Sequence, residues 1–298
     1  MNESSYWDSH EQALDAFRRG DLTAAEDAFA LARRHAQESQ LSDLADRAYC
    51  NWAAVRLEQN QLAGLRAGLS QVLGENADLR ARQLAAYNLT TCYRLQGNLR
   101  AARFYAEMSS QLAEKLGDDQ IRATTLHCLG LLWTAESRLE TGRDCLRKSL
   151  ELRVKKEMSV HTLVTASAYS YLAALLGGWA ESFWLIDESR AALEELPCGI
   201  YEPSIRLSLG FAHLELGERD EALDQGTQAL DIMQSLEVMN DEKFARYLIG
   251  ESLARKGDHQ GALEQFETLQ KAFFPQYTDL PETLVSVRTS QWLNWLGV

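Results

Sequence analysis

Proline is scarce in this 298-residue chain, with four residues (Pro197, Pro203, Pro275 and Pro281), all beyond position 196. Proline removes a backbone donor and breaks helices, so the first 196 positions carry no such breaker. No run of about 18 uncharged apolar residues occurs, which argues against a membrane-spanning helix. The start shows no basic and apolar leader, so no secretory signal is expected. Five cysteines (Cys50, Cys92, Cys128, Cys145 and Cys198) are an odd number with no CxxC spacing. That argues against a disulfide framework and for a reducing compartment, so a cytoplasmic location is expected. Alternating Val, Ile and Thr runs are missing, and with them the signal for strands. What is plentiful is Ala, Leu, Glu and Arg, a helix-forming composition.

The abundance is ordered. "LELGERDEALDQGTQAL" begins at Leu214, and "LARKGDHQGALEQFETL" begins at Leu253. Each ends an apolar run, turns on a glycine, and resumes with an alanine on the next helix. The turn residues are Gly20, Asn60, Gly97, Ser137, Gly177, Gly217 and Gly257, spaced by 40, 37, 40, 40, 40 and 40. A fixed period of this size marks a helical array in which each unit is two antiparallel helices, A and B. Glycine suits the turn because it accepts positive φ, and Ser and Asn are the next cheapest residues there. Five residues later stands a small residue that lets helix B close on helix A: Ala25, Ala102, Gly142, Ser182, Ala222 or Ala262, with Leu65 the exception.

These motifs resemble the tetratricopeptide repeat (TPR) family. The residues that carry the resemblance are Leu209-Gly210 with Gly217, Ala222 and Ala229, and Ile249-Gly250 with Gly257, Ala262 and Phe266. Leu129-Gly130 with Trp133, and Leu89 with Tyr93, Gly97 and Ala102, match too. The period exceeds the family's usual 34 and is similar to that of kinesin light chains, Pins-like adaptors and bacterial peptide-sensing regulators. The resemblance implies an all-α, right-handed α-solenoid of seven TPR-like helix pairs plus a C-terminal capping helix. The expected organisation is one domain over 1–298, with units near 5–40, 41–76, 77–117, 118–157, 158–197, 198–237 and 238–277, and a cap at 281–297. Pro275 and Pro281 bracket the connection to that cap. Trp292, Leu293, Trp295 and Leu296 are its covering residues, either shielding Phe266, Leu269 and Phe273 or lying in the groove as an autoinhibitory segment.

No nucleophile elbow, P-loop or dinucleotide fingerprint is present. None of His10, His35, His127, His161, His213 and His259 has a carboxylate or cysteine at close metal-ligand spacing. The acidic pairs Asp118-Asp119 and Glu194-Glu195 fall at helix ends, where carboxylates cap. The chain is therefore expected to be no enzyme and to need no cofactor and no metal.

Surface is left. The resemblance places the ligand groove on helix A, at positions ten and six before each turn residue. Those are His10 and Leu14, Cys50 and Ala54, Tyr87 and Thr91, His127 and Leu131, Ser167 and Tyr171, Leu207 and Phe211, and Tyr247 and Glu251. The partner-binding candidates are Tyr87, Thr91, Arg94, His127, Leu131, Tyr171, Phe211, Tyr247, Glu251 and Arg255. An aromatic stripe in a groove docks a peptide or an amphipathic helix; the alternative is that these side chains pack against neighbouring helices. The leading expectation is an adaptor that holds a partner protein or peptide, with Arg94, Arg255 and Glu251 setting register. The other is a peptide- or ligand-sensing regulator acting on a separate effector; regulators of that kind carry an N-terminal output domain, whereas here the first repeat begins almost at once.

Charge is uneven. Residues 1–156 hold 21 Lys and Arg against 21 Asp and Glu, while residues 157–298 hold 9 against 22, so the formal charge of −13 lies in the second part. Arg143, Arg147, Lys148, Arg153, Lys155 and Lys156 crowd one helix B, as a solvated face or as a contact for an acidic partner. Self-association between this helix and the acidic half is a further expectation. No nucleic acid and no membrane is expected as partner.

Overall fold

A computed structural model describes residues 3–75, 77–154, 159–238 and 241–287. Among these residues there are fifteen α-helices, one short 3₁₀ turn and no strand. Helices α1 (Glu3–Arg19) to α14 (His259–Phe273) follow one another as helix A and helix B seven times, and α15 (Leu280–Ser286) comes last. The intervening helices are α2 (Leu22–Glu38) and α3 (Ser42–Glu58), α4 (Leu65–Glu75) and α5 (Leu79–Leu95), and α6 (Leu99–Leu116) and α7 (Asp119–Ala135). They continue with α8 (Leu139–Arg153) and α9 (Val160–Leu175), α10 (Trp179–Glu195) and α11 (Glu202–Leu216), and α12 (Arg219–Ser235) and α13 (Glu242–Lys256).

Every turn residue read from the sequence is left-handed. Gly20, Gly97, Gly177, Gly217 and Gly257 have φ between 71° and 90°, and Asn60 and Ser137 have φ of 56° and 59°. One hydrogen-bond pattern recurs at each. The Gly217 N–H donates to the Leu214 carbonyl at 3.3 Å and the Glu218 N–H to the His213 carbonyl at 2.9 Å. The Gly20, Asn60, Gly97, Ser137, Gly177 and Gly257 turns repeat both bonds. This closure satisfies the last carbonyls of helix A and fixes the direction of helix B. The residues five beyond the turns, Ala25, Leu65, Ala102, Gly142, Ser182, Ala222 and Ala262, are all buried.

The helices cluster in two compact units, Met1–Leu132 with Glu151–Arg153, and Trp133–Leu150 with Val154–Val298. In the first, α3 and α5 pack side by side while α2 and α4 back them. The second helix pair is the irregular one. Its helix B, α4, has 11 residues and leans on α5, hardly touching α3. A polar cleft of about 610 Å³ opens there, lined by Arg33, Asp43, Asp46, Tyr49, Gln71 and Glu75 among others.

In the second unit α9, α11 and α13 stack directly on one another. Their contact is aromatic: Tyr171 meets Phe211 at 5.7 Å between ring centroids, Phe211 meets Tyr247 at 6.2 Å, and Tyr247 meets Phe266 of α14 at 6.1 Å. Glycines admit this packing. A Cβ on Gly250 would stand 2.5 Å from the fully buried Phe266 ring. Gly250→Ala is therefore expected to destabilise the chain by about 1–3 kcal/mol, the usual cost of overpacking a core, as read from urea unfolding.

α15 packs on α14 and α13 and buries Pro281 and Leu284. Phe266 and Leu269 are buried, and Phe273 is half-buried. Pro281 does not precede the helix but sits in its first turn, where the missing N–H costs nothing. The covering residues Trp292, Leu293, Trp295 and Leu296 lie outside the described residues.

Candidate functional site

Of the ten partner-binding candidates, five belong to the first unit and five to the second. In the first, Tyr87, Thr91 and Arg94 stand on α5 at intervals of four and three, one helical face. His127 and Leu131 stand likewise on α7. All five are half-buried. Arg94 lies near enough to Cys128 to oppose the upward push that burial gives its thiol. Toward the start of α7, Arg153 Nη2 donates to Thr124 Oγ1 at 3.0 Å. The result is a surface of mixed chemistry: a phenol, two hydroxyls, an imidazole, an aliphatic side chain and the Arg94 guanidinium, with that of Arg153 buried beside Thr124.

The other five have a different setting. Tyr171, Phe211 and Tyr247 are 1%, 1% and 2% exposed and make up the aromatic stack of the core. Glu251 is buried as well, accepting a bond from Arg255 Nε at 2.9 Å, while Arg255 Nη1 donates to the Leu214 carbonyl at 2.8 Å. This pair ties α13 to the end of α11. A polar motif with the period of the repeat lies nearby. Arg206 bonds Glu202 and Gln225, and Arg246, forty positions on, bonds Glu242 and Gln265.

The basic helix also divides. Arg143 pairs with Glu140 at 2.7 Å and Arg147 approaches Asp144 at 3.8 Å, so these cations are matched on the surface. Arg153 turns inward and is buried; Lys155 and Lys156 lie outside the described residues. One exposed surface escaped the sequence reading. Trp179, Phe183 and Trp184 of α10 are 62%, 41% and 60% exposed, at i, i+4 and i+5 spacing, a pattern visible in "WAESFW".

The thiols are poor nucleophiles. Burial pushes Cys50 up to about 12 and Cys92, Cys128 and Cys198 up to about 11, the opposite of an activated cysteine. His213 Nδ1 and Glu218 Oε2 meet at 2.7 Å across a turn, a contact that the five-residue spacing conceals. Among the described residues no group of three His, Cys, Asp or Glu is placed to hold a metal ion, and no helix is long and apolar enough to cross a membrane.

No protein-family model and no curated protein matches this sequence. Solved structures do match in fold. A Rap protein complexed with Competence and Sporulation Factor is 13% identical, with 95% of this chain and 76% of that chain covered and a TM-score of 0.72. The apo form of RapI is 12% identical, covering 90% and 97%, with a TM-score of 0.62. A tetratricopeptide repeat protein from Parabacteroides merdae is 16% identical, covering 95% and 98%, with a TM-score of 0.53. The chain thus has a TPR-like fold, an all-α helical-repeat architecture of the solenoid class.

Proposed function

We propose that this protein is a non-enzymatic interaction module that holds a protein or peptide segment against the helix A face of its third and fourth repeats. The observation that carries this reading is the half-buried set Tyr87, Thr91, Arg94, His127 and Leu131 on α5 and α7. Half-buried side chains are held by their neighbours yet present area to a partner, the condition of interface anchors. A Rap protein of similar fold was solved in complex with Competence and Sporulation Factor, which supports a ligand-binding role for this architecture. Tyr171, Phe211 and Tyr247 then form the wall that sets the spacing of successive A helices, with Glu251 and Arg255 bracing it. The regulator reading stays as the second form of the same function, since a sensor also begins with ligand capture. The proposed location is the cytoplasm, in keeping with five unpaired thiols.

The test is quantitative. Against the partner recovered from the native cell, Tyr87→Ala with His127→Ala should weaken binding by about 30-fold or more, the effect of losing a hot-spot side chain. Arg147→Glu with Lys148→Glu should weaken it by only a few-fold. A larger loss from the charge reversal would move the site to the outer face of α8.

A further inference from the structure

Sixteen residues beyond each turn residue (20 to 36, 97 to 113, 137 to 153, 217 to 233) helix B reaches a fixed register. In the first, third and sixth pairs it is filled by Ala36, Ala113 and Met233, all fully buried in the core. The fifth and seventh pairs carry Leu193 and Phe273 there. In the fourth pair the position holds Arg153, at 4% exposed nearly as deep as Ala36, Ala113 and Met233, whereas Leu193 and Phe273 are half-buried and the second pair carries Asn76, outside the described residues. A register held by apolar residues in five of the other six pairs therefore carries a permanent cation here. Its Nη2 is bonded to Thr124, but its Nε is enclosed and bonded to nothing. No carboxylate among the described residues pairs with it. Burial drives Arg153 below the usual guanidinium range. The end of α8, where Arg153 stands, offers about half a negative charge spread over its last carbonyls, too little to neutralise a guanidinium. Burying an unpaired charge is among the costliest things a core position can do, and the neighbouring repeats show that an apolar residue fits.

We propose that Arg153 is the anchor for a carboxylate of the bound ligand, with the Thr124 and Tyr87 hydroxyls as its flanking partners. Three features select this chemistry. A guanidinium presents two parallel N–H groups that match the two oxygens of a carboxylate. One buried positive charge neutralises one negative charge, so a monoanion fits where a phosphate dianion would leave charge uncompensated. The anchor is bonded to Thr124, one helical turn before His127 on α7, so a peptide held along that face would place an acidic side chain or its C-terminus on Arg153. The assignment of the carboxylate to a peptide rests on the proposed interaction face; the anion site itself does not.

The probe is acetate, compared with chloride at matched ionic strength and with inorganic phosphate. Acetate should raise the melting temperature of the wild-type chain by about 2–4 °C, as ligand binding to the folded state does, and phosphate should raise it less. Arg153→Met should abolish the acetate response and melt no lower than wild type, since methionine fills this register at position 233. Glu157→Gln should respond as wild type does. The proposal is overturned if wild type ignores acetate, if Arg153→Met keeps the response, or if Arg153→Met melts well below wild type, which would make Arg153 a brace for Thr124. An acetate response appearing only in Glu157→Gln would give Arg153 an internal partner and overturn it equally. If the acetate response stands while Tyr87→Ala with His127→Ala leaves partner affinity intact, the anion site survives and the peptide face does not; the converse result removes the anion site alone.

Discussion

Phe211→Ala should lower the unfolding free energy by about 3–5 kcal/mol, the usual cost of truncating a buried aromatic ring. Phe211 sits in the middle of the stack, with Tyr171 on one side and Tyr247 on the other, and is 1% exposed. Its removal takes away both ring contacts at once and leaves a cavity that α9 and α13 cannot both close. Tyr171 and Tyr247 would keep their burial only by shifting toward each other across the spacing that Phe211 sets. Equilibrium urea unfolding measures the loss through a lower midpoint. Partner affinity, measured on the folded fraction, should stay within a few-fold of wild type. A variant of full stability that has lost its partner would instead make Phe211 a direct anchor.

Glu251→Ala should be nearly as damaging, near the lower end of the about 3–5 kcal/mol typical of breaking a buried ion pair. The Glu251 side chain is 2% exposed and that of Arg255 is 16% exposed. Truncation removes the carboxylate and leaves the guanidinium in a poorly solvated place. The loss falls short of the full range because Arg255 keeps its bond to the Leu214 carbonyl and a Glu215 oxygen at 3.9 Å. Glu251→Gln keeps the shape and an acceptor, so it should cost less than the alanine change. Thermal unfolding of both variants against wild type gives the order. Equal losses would mean that packing, and not charge pairing, holds this junction.

The turns were legible because their requirement is local. A backbone at positive φ selects Gly, Asn or Ser, and all seven turn residues chosen by spacing adopt it. The small residues five positions later were legible for the same reason, since close approach of two helices selects for size. The state of the A-helix face was harder to read. The register rule gives the face on which Tyr171, Phe211 and Tyr247 stand, but not how closely the next helix A lies upon it. That depends on Gly250, Gly210 and the side chains behind them, such as Leu248, whose Cδ2 would meet a Cβ on Gly210 at 2.5 Å. Tyr87, Thr91, His127 and Leu131 occupy the same registers and are half-buried, so one sequence pattern yields two surfaces. Arg153 was hidden in a run of cations that invites a solvated reading. Aligning the repeats at the position sixteen beyond the turn separates it from Arg147 and Lys148, because that register is apolar in every other repeat but the second, which carries Asn76. The aromatic patch of α10 was present in the sequence as "WAESFW", but helix B was not where a ligand face was sought.

The central claim is that a partner lies along α5 and α7 of the first unit. Hydrogen–deuterium exchange of the chain, with and without the partner recovered from its native cell, tests it most directly. Binding should slow exchange in α5 (Leu79–Leu95) and in the part of α7 within the first unit, and leave α10 (Trp179–Glu195) unchanged. Protection confined to α10, around the exposed Trp179, Phe183 and Trp184, or to the outer face of α8, with α5 and α7 unaffected, would contradict it.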